Sequence, residues 1–505
     1  MKTRKLTLNQ LSGWKNVCVV FLFCAVAAIA SPAQTFTNLV NFDQTNGNGP
    51  ADSLVQGVDG NLYGTTVSGG VGDLGVGVGT IFKMSTEGRL TKLYDFCAQG
   101  DSCPDGDQPV AGLALGADGS FYGTTSFGGV NRSGTVFKTT AGGSLSTLLS
   151  FCCADGGDPV GTLVQGTNGN FFGTASDTVF EITPSGKFTL LYTFCSQPNC
   201  TDGSGPLAGL VQGTDGDFYG TTLLGGAGVN CPHLGCGTVF KVTATGSLTT
   251  LYSFCTQGGD VCTDGDLPQA ALLRASDGNF YGTASYGGAN ATGGTVFKIT
   301  PEGTLTTLYS FCSLTNCADG ANPVAALVQG ADGNFYGTTE NGGAHGCNSH
   351  EGTSGCGTIF RITSSGTFTT LHKFCQKTDC SDGALPEAGL VQATNGNFYG
   401  TTASGGILNC SLGIECGTIY RFSVGLGPFA KLVQTSGKVG AKVGILGTDL
   451  TGSTAVAFNG AAAKFTVIAR TAILATVPTG ATSGTVSVTT PSGALNSNVA
   501  FQVIP

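Results

Sequence analysis

Imidazole and carboxylate side chains gather at two places in this chain. His345, His350 and Glu351 lie in one segment, HGCNSHE, and His233 lies in another, CPHLGC. Histidine beside cysteine at such spacing could ligate zinc, and histidine with glutamate could move protons. Phe127 and Tyr286, each followed by a Gly-Gly pair, could stack on a sugar ring. The pairs Asp105 with Asp107 and Asp264 with Asp266 could offer oxygen atoms to calcium. A plainer reading weighs against each. Equivalent loops carry paired cysteines without histidine, as at Cys410 and Cys416, and Asp-Gly is turn chemistry before it is anything else. No Ser-His-Asp arrangement, phosphate loop or carboxylate pair follows from spacing. The sequence therefore predicts no catalytic residue, no metal and no cofactor, and leaves Phe127, Tyr286, His233, His345, His350 and Glu351 as ligand-binding candidates.

The elements that must position these residues come from a repeat. Seven near-copies of DGNLYGTT begin at Asp59, Asp118, Asn168, Asp215, Asp277, Asp332 and Asn395. The unit from 207 to 254 shows four β-type segments, LAGLVQG, DFYGTT, GTVFKVT and LTTLYSF, called A to D below. Tight Asp-Gly or Asn-Gly turns join A to B, and short Gly turns join C to D, so each unit is a four-stranded antiparallel meander. Adjacent apolar residues such as Phe218 with Tyr219 and Val239 with Phe240 leave neither face for water. Radial packing of blades buries both faces, which favours a β-propeller over a solenoid.

The ends sharpen this. Residues 36–50, FTNLVNFDQTNGNGP, align with a D segment and its exit, whereas the seventh unit stops after its C segment, GTIYRF at 417–422. The N-terminal strand is thus expected to complete blade seven and close the ring, removing a free sheet edge. Segment A, with small pairs such as Ala208 with Gly209 and Ala325 with Ala326, is expected nearest the axis. The B-to-C and D-to-A loops then share one face, which also holds the cysteines and the length variation, and variable loops on a rigid scaffold suit recognition. The face of short turns is expected to be purely structural.

Residues 1–33 read as a secretory signal peptide. Lys2, Arg4, Lys5 and Lys15 precede an apolar run from Val17 to Ile29, with small residues at Ala28, Ala30 and Ala33. Its removal leaves a formal charge near −13, which argues against nucleic acid or anionic membrane as partners. The 18 remaining cysteines fall into nine local pairs. Five follow the D segment: Cys97 with Cys103, Cys195 with Cys200, Cys255 with Cys262, Cys312 with Cys317, and Cys375 with Cys380. Three flank the B-to-C loop: Cys231 with Cys236, Cys347 with Cys356, and Cys410 with Cys416. The ninth pair, Cys152 with Cys153, is vicinal and would close a strained ring. Paired cysteines in an exported chain predict disulfides. Secretion to the medium or the cell surface is expected, with the periplasm as the alternative, and no membrane span in the mature chain.

From Gly427 to Pro505 cysteine is absent and short apolar runs such as KVGILG, TAVAFNG and GTVSVTT alternate with turns, the pattern of an immunoglobulin-like β-sandwich. This stretch resembles the IPT/TIG domain. Across 36–422, the combination of AGLVQGTDGDFYGTT, GTVFKVT and LTTLYSF resembles the GloVer tandem repeat of exported bacterial proteins. That resemblance implies export and carries over no catalytic residue. The expected architecture is a signal peptide at 1–33, a seven-bladed β-propeller at 34–426 and an immunoglobulin-like domain at 427–505. The expected role is a non-catalytic binding or adhesion module for extracellular glycan or protein. A glycan-degrading enzyme with its site at the propeller mouth is the first alternative and a coat or matrix component the second.

Overall fold

The computed structural model describes residues 34–504 apart from 51, 72–77, 99–101, 153–154, 229–234, 257–261, 291, 344–354, 377–379 and 407–415. Each DGNLYGTT-type segment forms the second strand of a four-stranded antiparallel sheet, and seven such sheets follow in chain order. In blade four the strands are Val211–Gln212, Phe218–Thr222, Thr238–Val242 and Leu248–Ser253. The repeated glycine of strand B is needed for close approach. A Cβ on Gly220 would stand 2.7 Å from the Phe240 ring and 2.8 Å from Leu210, so the ring of C and the leucine of A pack directly over the bare backbone. The repeated aspartate shapes the A-to-B turn. Asp215 accepts the Asp217 N–H at 3.2 Å and the Tyr219 hydroxyl at 2.8 Å, a structural role that accounts for its recurrence.

The Phe-Tyr pair of strand B explains how blades adhere. Its two side chains point to opposite faces, and in blades one to six the second ring meets the first ring of the next blade. Tyr63 meets Phe121 at 4.1 Å, Tyr122 meets Phe171 at 3.9 Å and Tyr219 meets Phe280 at 4.2 Å. Hydrogen bonds repeat across the same seams. Thr221 Oγ1 donates to Ala270 O, and the Thr167 N–H donates to Gln212 Oε1. The last seam, between blade seven and blade one, repeats the bond from the Thr394 N–H to Gln56 Oε1 and carries one from Thr401 Oγ1 to Pro50 O, two residues before the position that Ala270 holds in blade five. The ring is closed. Thr35–Asn41 supplies the fourth strand of blade seven, antiparallel to Thr418–Ser423 and with a bulge between Asn38 and Val40. The D strand of blade four carries the matching irregularity, where Val239 pairs with Tyr252 and Phe240 with Thr250.

The C-terminal segment forms two four-stranded sheets and a short parallel pair, Ser436–Gly437 with Gln502–Val503. Val443, Ile445, Val456, Phe458, Ile473 and Val488 fill the space between them. This sandwich stands on the ring face made of A-to-B turns. Thr471 Oγ1 donates to Val58 O at 2.7 Å, Arg274 Nη2 to Thr435 Oγ1 at 2.9 Å, Asn498 Nδ2 to Gln329 O at 3.3 Å and Lys431 Nζ to Gln392 O at 3.4 Å. Those partners belong to blades one, five, six and seven, while a cavity of about 230 Å³ separates blades two to four from Val433–Ser436. The turn face therefore has a task beyond joining strands: it seats the second domain across one end of the axis.

Candidate functional site

The opposite face is built from D-to-A and B-to-C loops laced to each other. Asn48 bridges Ser68, Asp107 bridges Phe127, Ser204 bridges Leu224 and Asp266 bridges Tyr286. The D-to-A loop is also held from below. Tyr94, Tyr192, Tyr252 and Tyr309 donate their hydroxyls at 2.8 Å to Asp105, Asp202, Asp264 and Asp319. Blade six puts His372 at this position, its Nε2 3.6 Å from Asp382. Burial works against ionisation of Asp382, but the contact with His372 and the backbone N–H groups of Asp382 and Gln376 outweigh it and hold the carboxyl below its ordinary value.

Disulfides close the same loops. Cys97 is bonded to Cys103, Cys195 to Cys200, Cys255 to Cys262, Cys312 to Cys317 and Cys375 to Cys380. Cys236, Cys356 and Cys416 are also in disulfides, and Cys231, Cys347 and Cys410 lie outside the described residues. The expected Cys152–Cys153 bond is corrected. Cys152 is a free thiol that donates to Asp155 Oδ2 at 2.9 Å, and Cys153 lies outside the described residues. The spacing gives the reason. Elsewhere several residues separate the cysteine after the D-strand phenylalanine from the one before the loop aspartate. Blade two deletes that interval and brings the two positions side by side, where closure would strain the peptide.

The other sequence candidates scatter. Phe127 is 45% exposed and Tyr286 is half-buried. They belong to blades two and five, on opposite sides of the ring, so they do not form one platform. His233, His345, His350 and Glu351 lie outside the described residues. Three sulfurs meet within 4.8 Å at Cys236, Cys255 and Cys262, and again at Cys356, Cys375 and Cys380. All six are in disulfides, which removes the thiolate charge a metal requires.

A concave feature of this face is the mouth of the axis. A cavity of about 360 Å³ is lined by the start of the A segments, among them Asp52, Ser53, Thr162, Gln269 and Glu387. Asp52 Oδ2 accepts from the Gly112 N–H at 2.6 Å and the Thr162 hydroxyl at 2.7 Å, so its carboxylate is fixed between blades one, two and three. Burial pushes the Glu387 carboxyl up to about 7, with the charge of Glu340 adding to the shift. Burial also raises Glu340. Such a group changes charge near neutral pH and can hold a cation or carry a proton. The sequence reading missed both lining acids, although a signal existed. After the proline that opens each A segment, other blades place Val110, Val160, Leu207 or Val324 where blade seven has Glu387. Likewise Ala111, Ala208 and Ala270 stand where blade one has Asp52. Aligning the blades with one another exposes these departures.

Comparison with known proteins agrees with this architecture. The Gloeobacter/Verrucomicrobia repeat matches residues 25–178 and 176–348, and the IPT/TIG domain matches 428–503. No match is found among curated proteins. Among solved structures, a streptogramin B lyase is similar at 15% identity and a TM-score of 0.48, covering 77% of this chain and 97% of that one. Virginiamycin B lyase from Staphylococcus aureus is similar at 15% identity and 0.46, covering 77% and 99%. A protein of unknown function from Bacteroides thetaiotaomicron is similar at 12% identity and 0.41, covering 77% and 76%. With the repeat matched over more than half of its length and the sandwich matched beyond it, the chain belongs to the Gloeobacter/Verrucomicrobia repeat family and carries a C-terminal IPT/TIG domain.

Proposed function

We propose that this protein is an exported, non-catalytic binding module that recognises an extracellular glycan or protein through the loop-rich face of its propeller. One observation carries the reading. The sandwich occupies the turn face, which leaves as the open end of the axis the face where disulfide-pinned loops of unequal length surround a cavity. Rigid loops lower the ordering cost of binding. Export is supported by the basic and apolar pattern of residues 1–33 and by the disulfides. No helix among the described residues is long and apolar enough to cross a membrane.

A hydrolytic reading has its own support in Glu387, whose carboxyl sits near neutrality beside Glu340. One pair of assays separates the two. The mature protein is probed on glycan and surface-protein arrays, and the same glycans are assayed for reducing-sugar release. The binding reading expects retention of at least one ligand without turnover. Sugar release that is abolished by Glu387→Gln would replace it with the enzymatic one.

A further inference from the structure

The cavity at the open end of the axis has a chemistry more specific than concavity. Its rim is laid down by the residue that follows each blade's proline. Val110, Val160, Leu207 and Val324 form an aliphatic collar, interrupted by Gln269 and Glu387. Beneath lie Asp52 and small residues such as Ser53 and Gly161. Both ionisable groups among the lining residues are acids, and no lysine or arginine lines the cavity. Their situations differ. Asp52 is saturated by the Gly112 and Ser53 N–H groups and the Thr162 hydroxyl. Glu387 lines the cavity with no hydrogen bond to its carboxylate from any described residue, and its nearest charged influence is another acid, Glu340. A half-buried carboxylate that repels its neighbour and lacks a donor stabilises whatever cation reaches it. No aromatic ring lines the cavity, so it lacks the stacking surface a sugar would use.

We propose that this cavity takes a primary ammonium or guanidinium group carried on an aliphatic stem, the stem lying against the valine and leucine collar and the cationic head on Glu387. Long cationic side chains bind in this divided way, with an apolar stem and a charged tip. The proposal rests on the reading of the loop-rich face as the binding face. The ligand can come from two sources, a free alkylamine or a lysine or arginine side chain presented by a partner protein.

Calorimetry on the full mature chain tests it with three probes: n-pentylammonium, the neutral 1-pentanol, and a lysine-containing tripeptide blocked at both ends. At pH 8 the ammonium is expected to bind at least tenfold more tightly than the alcohol. The preference should vanish at pH 5, where Glu387 is protonated, and in both Glu387→Gln and Glu387→Val. The valine variant restores the collar residue of blades two, three and six, so its fold is secure. Tighter binding of the tripeptide than of pentylammonium assigns the site to a partner's side chain, and the reverse order assigns it to a free amine. Equal affinity for ammonium and alcohol, an ammonium affinity unchanged in both variants, or no ammonium binding at millimolar concentration would overturn the proposal. Failure of every array ligand would overturn the binding-module reading and leave the calorimetric result standing.

Discussion

At the scale of single residues, the seven copies act as their own reference. Phe, Tyr, Gly and Thr of strand B recur because each makes the same contact in blade after blade. A residue that breaks the pattern at an axial position has no such packing reason to be there. Glu387 is the clearest case, and its ionisation is coupled to folding. An ordinary glutamate ionises near 4.3, whereas Glu387 holds its proton up to about 7. The folded chain thus binds that proton more tightly than the unfolded one, and stability falls as pH rises from about 4.3 to about 7. Above that window the buried carboxylate costs about 3 kcal/mol. Glu387→Val should therefore raise the melting temperature at pH 8 and change it little at pH 5. An equal gain at both pH values would show that side-chain volume, not charge, is responsible. His372 and the free Cys152 are further departures, the first replacing a tyrosine that pins a loop and the second left by a deletion.

At the scale of elements, the strand Thr35–Asn41 decides whether the ring holds. It buries Val40, and Phe42 follows it into the same core as Leu62, Tyr399 and Ile419. Burying two such side chains is worth about 4 kcal/mol, before the ladder bonds to Thr418–Ser423 are counted. Deleting residues 34–42 should lower the denaturant midpoint and speed amide exchange selectively at 418–423. Unchanged protection there would mean that the last blade is held by something else. This element was legible because Phe36 to Pro50 repeats the order of a D strand and its exit loop. The seam it closes differs from the others in one respect that only the structure reveals. Leu62 stands where six blades have phenylalanine, so Tyr399 meets an aliphatic group at the junction of the first and last blades.

At the scale of the whole molecule, the sandwich and the ring are joined by polar contacts from side chains that are costly to bury. Lys431 is pushed down by burial to about 8 from an ordinary 10.5. Arg274 is also lowered by burial. For Lys431 the unfolded chain binds more protons between pH 8 and 10.5, so stability rises with pH across that window. Below it the buried ammonium costs about 3 kcal/mol. Lys431→Met should therefore stabilise the docked protein at pH 7, as read by the denaturant midpoint, with the advantage shrinking towards pH 10.5. A variant less stable than wild type at pH 7 would show that the Lys431 bond to Gln392 O outweighs its desolvation.

The sequence by itself determined what is local and periodic: seven four-stranded units, the turns between their strands, the strand that completes the last blade, and most of the cysteine neighbours. Those features follow from hydrophobic spacing, turn chemistry and short loop closures, which act within a few tens of residues. Only the tertiary structure decided which residues meet at the axis and where the second domain sits. Asp52 and Thr162, or Arg274 and Thr435, are more than a hundred residues apart. Nothing in the spacing of either encodes the other, because their contact is set by the rotation between blades and by the docking of one finished domain on another.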